Sequence, residues 1–338
     1  MENKMFKIFN NIYGVLFIAL ISQTIVSCDT LDSSVLKKPV IELSTDPNQA
    51  YPIVSSQVRY NKMTASANVQ DLVVNYTNTD VSLSSLKDSV ILFVEGGPKH
   101  LVDLEGIKGF KENVLTGFGG ALIPNGFPNH SFIGMHQMHE VNPTVFGSGL
   151  AFTPQNAEEV NNQTLDMIER VVSWLKSNKK VVFLFGHSNG SLMVQNYMAS
   201  GRTAPSYYII TGTRLKVIQD MLNNYPNNVD ISYTNGTILN TTKIADVAKP
   251  YFNVLRYLQM NHNKNYITLL AGNTMLSKTF YSLGLEDEAL GKIDSDEQAF
   301  INTNCPHIYF PNVYIPNSGG HGDASVGIVF ALQKFRKK

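Results

Sequence analysis

Residues 181–199 read VVFLFGHSNGSLMVQNYMA, and this stretch decides the fold. Val181, Val182, Phe183, Leu184 and Phe185 make a continuous apolar run, short enough for a strand buried on both faces. Gly186-His187-Ser188-Asn189-Gly190 follows, and then Leu192, Val194 and Met198 fall at helical spacing before Gly201 closes the segment. A strand, a glycine-flanked turn and a helix form a setting that can lift a serine out of a core. A hydroxyl is a weak nucleophile, so it needs a general base beside it and N–H donors where negative charge develops. The N-terminus of the following helix offers such donors. Ser188 is therefore the candidate nucleophile.

Working outward, the pattern alternates. Val160, Leu165, Ile168, Val172 and Leu175 recur at close to helical spacing, which predicts a helix over 157–180 with Asn156 as its N-cap. Glu158 and Glu159 near its start, and Lys176, Lys179 and Lys180 at its end, match the helix dipole. Strands are expected over 53–60, 72–76, 90–94, 131–135, 207–211, 278–283 and 307–314, and a last helix over 324–335. Helices alternating with strands give an α/β class with a mainly parallel central sheet and helices on both faces. Between about 215 and 279 the pattern loosens into Asn-rich loops and an amphipathic helix over 244–260, read as a small cap insertion.

The chain of 338 residues is 43% hydrophobic, enough for one large core, and this argues against extended disorder. Its 27 basic and 27 acidic side chains balance, and no basic patch interleaves with aromatics, so nucleic acid is excluded as a partner. Residues 1–27 read as a secretory signal: Lys4 and Lys7 precede an apolar run of about fifteen residues, shorter than the roughly twenty a spanning helix needs. The run ends Ile25-Val26-Ser27-Cys28, which resembles the lipobox of bacterial lipoproteins. That resemblance implies cleavage before Cys28, lipid on its thiol, a polar tether over 28–45 and attachment to a membrane of the bacterial cell envelope. Cys305, the second of two cysteines, is then expected to be a buried structural thiol.

Within a single domain over 46–338, residues from about 85 to 338 resemble the α/β-hydrolase superfamily, on four features. The first is Gly186-His187-Ser188-Asn189-Gly190, similar to the family's nucleophile elbow after its fifth strand. The second is Glu95-Gly96-Gly97-Pro98 after the apolar strand over 90–94, which is similar to the family's His-Gly-Gly-Pro loop with Glu95 in place of histidine. By that resemblance an N–H from the Gly96-Gly97 loop joins the N–H of Asn189 in an oxyanion hole. The third is Asn317-Ser318-Gly319-Gly320-His321-Gly322-Asp323, placed where the family keeps its catalytic histidine, so His321 is the expected base. The fourth is Gly284-Leu285-Glu286-Asp287, which repeats the spacing after the family's seventh strand and makes Asp287 the expected acid, with Glu286 and Asp294 as rivals.

The resemblance implies a serine hydrolase that needs no cofactor and cleaves carboxylic esters of small molecules. A proline-type aminopeptidase or other peptidase of the same fold stays open because it shares the Gly-Gly-Pro loop. A non-catalytic surface protein on the same fold is the other alternative. Met135-His136-Gln137-Met138-His139-Glu140, with His130 and His100 nearby, raises a metal site. On a strand, however, an H-x-x-H spacing puts the two imidazoles on opposite faces, so no metal is expected.

Overall fold

The computed structural model of the protein describes residues 50–51, 60–66, 69–75, 83–84, 86–94, 96–97, 129–135, 149–314 and 319–336. The chain divides into two compact units. One combines residues 1–42 with residues 246–248, of which only the single 3-10 turn Asp246–Ala248 is described. The other, residues 43–245 and 249–338, carries the sheets and the main helices.

In chain order the strands are β1 (Ala50–Tyr51), β2 (Tyr60–Ser66), β3 (Val69–Asn75), β4 (Ser89–Val94), β5 (His130–Met135), β6 (Val181–His187), β7 (Tyr207–Thr211), β8 (Val229–Thr234), β9 (Ile238–Lys243), β10 (Thr279–Ser282) and β11 (His307–Tyr309). The main helices are α1 (Pro154–Ser177), α2 (Asn189–Ala199), α3 (Gln219–Asn224), α4 (Lys249–His262), α5 (Ser295–Asn304) and α6 (Gly327–Arg336). Nine strands form one sheet in the order β1-β2-β3-β5-β4-β6-β7-β10-β11. The six from β5 to β11 are parallel, and β1, β2, β3 and β5 pair antiparallel. This is an α/β-hydrolase-like sheet, in which β4, β6 and β10 are the third, fifth and seventh strands when the strands of this sheet are counted in chain order from β2.

Strand periodicity sorts the buried side chains between two cores. Val90, Leu92, Val182, Leu184, Tyr208, Ile210 and Tyr281 share one with Val160, Leu165, Ile168 and Val172 of α1, Leu192, Val194 and Met198 of α2, and Val254 and Leu258 of α4. Ile91, Phe93, Phe183, Phe185, Ile209 and Phe280 share the other with Ile328, Ala331, Leu332 and Phe335 of α6. Both faces of the sheet are covered, which is why the central strands read as continuous apolar runs. Aromatic rings knit the second core: Phe93 stacks on Phe185 at 4.9 Å and Tyr207 on Phe335 at 4.3 Å. Such pairs add about 0.5–1.5 kcal/mol each beyond the area they bury.

Proline shifts three boundaries. The first long helix starts at Pro154, with Thr153 rather than Asn156 as N-cap; Asn156 occupies N3 and completes a capping box with Thr153. Proline suits the first helical turn because its missing N–H has no use there. The expected helix over 244–260 begins at Lys249 for the same reason, since Pro250 is tolerated in a first turn and disfavoured further in. The last strand ends at Tyr309, and Pro311 opens a helical turn, Pro311–Tyr314, because proline has no N–H for a sheet ladder.

After α4 the chain makes a helical turn, Tyr266–Leu269, capped by Asn265. Strand pairing was underestimated in one place. The Asn-rich stretch after α3 is a two-stranded hairpin, β8 with β9, closed by Asn235 at φ 52° and Gly236 at φ 68°. The loop is three residues, 235–237, and within it the Thr237 N–H donates to Thr234 O at 3.2 Å, closing a turn whose two central residues both have positive φ.

Cys305 is free and buried, and burial pushes its thiol up to about 12, so it stays protonated at neutral pH. Among the described residues no helix is long and apolar enough to cross a membrane. Cys28 and its tether, nearly all of the expected strand over 53–60, and Glu95, Pro98, His100, His136, His139, Glu140, Asn317 and Ser318 lie outside the described residues.

Candidate active site

Strand β6 delivers the candidate nucleophile at the end of its buried run. Ser188 holds φ 56° and ψ −127°, a conformation that a residue with a side chain adopts at a cost of about 1–3 kcal/mol. Its N–H donates to Thr211 O of β7 at 3.1 Å, and its carbonyl accepts the Ser191 N–H at 2.9 Å, so both ends of the turn are tied down. Gly186 is required by packing, because a Cβ there would sit 2.5 Å from Gly190 O. The two glycines of the motif thus meet across the turn. Asn189 is the first residue of α2 and presents an N–H that the helix itself cannot use.

The loop after β4 lies against this turn. A Cβ on Gly96 would approach His187 O to 2.7 Å and Ser188 Cβ to 3.0 Å, so the loop backbone comes as close to Ser188 as a glycine allows. Gly97 follows at φ 61°. Gly96 is thus brought against Ser188, with Gly97 and Asn189 the next residues of their two segments.

Strand β10 leads into the loop that holds Asp287, the candidate acid. Asp287 is 2% exposed. Its Oδ1 accepts the N–H groups of Ala289 at 2.9 Å and Leu290 at 2.7 Å, and its Oδ2 lies 2.7 Å from His321 Nδ1. Burial pushes the Asp287 pKa up, but the His321 charge, its hydrogen bond and the two backbone N–H bonds outweigh that and hold it below the ordinary carboxylate value. For His321, burial acts downward, and the Asp287 charge, the shared hydrogen bond and the Glu288 charge outweigh it, leaving the imidazole more basic than usual. His321 Nε2 is buried and has no hydrogen-bond partner among the described residues.

The two rivals of Asp287 have other tasks. Glu286 is exposed and donates its backbone N–H to Gly319 O at 2.8 Å. Asp294 is the N-cap of α5, accepting from the N–H groups of Asp296 and Glu297.

His321 also lies beside the nucleophile turn. Its ring centroid is 5.0 Å from that of His187, the residue before Ser188. No hydrogen bond joins Ser188 Oγ to His321 among the described residues. Gly212, at φ 56°, sits against both rings, and a Cβ there would fall 3.0 Å from His187 Cε1 and 3.1 Å from His321 Cε1. Thr211 Oγ1 gives its proton to Gly186 O and so accepts from His187 Nδ1 at 3.0 Å, which fixes the His187 tautomer. Burial, followed by the nearby His321 charge, takes the His187 pKa down to about 3, so this ring is neutral wherever His321 titrates.

Of the histidines weighed as metal ligands, only His130 is described, as the first residue of β5 with its ring edge-on to Phe183 at 5.5 Å. Among the described residues no group of three or more His, Cys, Asp or Glu side chains could hold a metal ion.

Sequence reasoning missed Glu288, Asp323 and the β8–β9 hairpin. Asp323 Oδ2 accepts the Gly320 N–H at 2.9 Å, and Glu288 Oε2 accepts the His321 N–H at 2.8 Å. The hairpin turn supports the Asp287 loop: Lys292 N–H donates to Gly236 O at 2.8 Å, Glu288 O accepts the Tyr233 N–H at 2.8 Å, and a Cβ on Gly236 would meet Leu285 O at 2.8 Å. The hairpin was signalled by Asn235-Gly236 between β-prone segments. A bond from a side chain to a distant backbone N–H leaves no such signal.

No family profile and no curated protein sequence matches the chain. Among solved structures it is similar to Est1E from Butyrivibrio proteoclasticus, at 13% identity and a TM-score of 0.44 over 83% of this chain and 98% of that one. A highly thermostable carboxyl esterase from Bacillus coagulans, in complex with glycerol, is similar at 12% identity and a TM-score of 0.42, covering 82% and 98%. A thioesterase domain from the curacin biosynthetic pathway stands at 12% and 0.44, covering 83% and 99%. Likenesses this distant say nothing about chemistry, which is read from strand order and site geometry alone.

Proposed function

We propose that the protein is a serine hydrolase that cleaves carboxylic esters through an acyl-enzyme on Ser188. The observation that carries this reading is the Asp287–His321 pair. Its 2.7 Å bond engages Nδ1 and leaves the buried Nε2 without a partner among the described residues, on a ring 5.0 Å from that of His187 at the nucleophile turn.

With Nδ1–H directed at Asp287, the lone pair of His321 is on Nε2, where it can take the Ser188 proton as Oγ attacks the ester carbonyl. Asp287 stays ionised and stabilises the imidazolium, in keeping with its lowered pKa. The carbonyl oxygen becomes an oxyanion, served by the Asn189 N–H and an N–H of the Gly96-Gly97 loop; one such donor is worth about 10²–10³ in rate. His321 then protonates the leaving alcohol. Water, deprotonated by His321, attacks the acyl-enzyme, and collapse of the second oxyanion frees the acid and returns the proton to Ser188. We also propose that Cys28 carries the lipid anchor, a reading supported by the sequence Ile25-Val26-Ser27-Cys28; Cys28→Ser would then abolish lipid labelling.

Turnover of a panel of p-nitrophenyl esters and aminoacyl p-nitroanilides tests the reading. Ester hydrolysis with a burst of one nitrophenol per active site, absent in Ser188→Ala, is expected. Hydrolysis of the anilides alone would point to the peptidase instead, and turnover unchanged in Ser188→Ala would refute the assignment.

A further inference from the structure

We propose that Glu288 is a positioning residue for His321, holding the histidine by its backbone N–H and placing a second carboxylate beside its loop. This deepens the proposed function and rests on His321 being the general base.

Three consecutive acidic residues, Glu286, Asp287 and Glu288, would ordinarily form a solvated turn, and each here engages the histidine loop. Glu286 donates its N–H to Gly319 O at 2.8 Å. Asp287 meets the ring at Nδ1, and Glu288 Oε2 accepts the main-chain N–H of the same residue at 2.8 Å. The ring and the backbone of His321 are thus held by adjacent side chains of one loop.

Packing makes the arrangement specific. A Cβ on Gly320 would lie 3.1 Å from Glu288 Oε2 and 3.3 Å from Asp323 Oδ2, so the residue before His321 is a glycine that lets two carboxylates close on the loop. A Cβ on Gly284 would sit 2.5 Å from Gly319 O, so the acid loop and the histidine loop touch backbone to backbone. Glu288 is itself anchored from behind, since its carbonyl accepts the Tyr233 N–H of the hairpin. A chain of contacts therefore runs from the β8–β9 hairpin through Glu288 to His321.

The charged groups facing His321 are Asp287 and Glu288 from the acid loop, with Glu286 and Asp323 beside its backbone and neutral His187 against its ring. Glu288 is exposed, so its removal leaves no buried charge unpaired. It acts across a screened distance, and its effect on the ring should be modest.

The test reads His321 directly. The purified protein carries 13C at histidine Cε1, the His321 signal is assigned by its loss in His321→Asn, and its titration is followed in wild type, Glu288→Gln and Glu288→Ala. Glutamine keeps an acceptor for the N–H and removes only the charge. The midpoint is expected to fall by about half a pH unit in both variants, at the screened end of what a neighbouring charge does. In parallel, kcat/KM for an aryl ester should fall about tenfold in Glu288→Ala, which also frees the backbone, and much less in Glu288→Gln. A midpoint that stays put in both variants, or equal rates in all three proteins, overturns the proposal. A loosened loop would also lower the midpoint toward the ordinary imidazole value, so the comparison counts only where each variant gives a single His321 signal and the other histidine signals keep their wild-type positions. A wild type that turns over no ester refutes the proposed function, while the titration still decides the Glu288–His321 coupling.

Discussion

His262 should make the protein acid-labile, by an amount set by its surroundings. The residue ends α4 at 0% exposure, with Nδ1 3.3 Å from Asn196 Nδ2 and Nε2 buried without a partner among the described residues. Burial, followed by the Lys264 charge, takes its pKa down to about 3 from an ordinary 6.5. Below pH 6.5 the unfolded chain binds this proton and the folded chain does not. This group alone therefore lowers stability by about 1.4 kcal/mol per pH unit on acidification, until the folded form is protonated as well, and His187, also held at about 3, adds a like slope that wild type and the His262 variant share. Across the whole window the loss approaches about 5 kcal/mol, comparable with the roughly 5–15 kcal/mol total of a typical domain. His321 does not contribute to this slope, because its raised pKa gives a term fully present below 6.5 and lost only as pH climbs through the folded value. Asp287, with its lowered pKa, begins to contribute only near and below the ordinary carboxylate range. The assay is urea unfolding followed by the fluorescence of Trp174 from pH 7.5 to 4.5, in wild type and His262→Gln. The wild-type curve should lose stability relative to the variant by about 1.4 kcal/mol per unit below 6.5. Parallel curves over that range would refute the reasoning.

Three further outcomes are expected of the site. Asp287→Asn should cut kcat by about 10³–10⁴ by favouring the wrong His321 tautomer, with the far-ultraviolet circular dichroism unchanged. The rate kcat/KM should rise with pH along a limb centred above the ordinary imidazole value of about 6.5, since the general base must be neutral and its pKa is raised; a pH–rate profile from 5 to 9 reads it. Gly236→Val should lower both stability and kcat, because it combines a φ of 68° with a Cβ 2.8 Å from Leu285 O. Thermal unfolding should report a loss of about 1–3 kcal/mol, and ester turnover should fall as the acid loop is displaced.

The sheet was legible because its strands are buried on both faces. Val90 to Val94 and Val181 to Phe185 carry no polar residue, and a five-residue run of that kind, rich in Val, Ile and Phe, suits a parallel strand covered on both faces. The turn at Ser188 and the glycines around His321 were legible for a related reason, since close backbone approach demands glycine and leaves a mark in the sequence. Helix starts were less legible, because polar residues cluster near them and Asn156 reads as well as Thr153 until Pro154 is weighed as a first-turn residue. The hairpin was missed because its outer strand, Ile238–Lys243, is exposed along its length and lacks the alternation of a half-buried strand. Glu288 was not legible at all. Its partner is a backbone N–H 33 positions away, and main-chain partners leave no trace in composition or spacing.

The central claim is that Ser188 is a nucleophile activated by His321. A fluorophosphonate probe with mass spectrometry of the modified peptide tests it most directly, because the probe reacts only with a serine whose proton can be removed. The account predicts one adduct per chain, located on Ser188, formed faster as pH rises through the His321 titration and lost in His321→Asn. An unmodified Ser188 in folded protein, or an adduct whose rate is indifferent to His321, would contradict it.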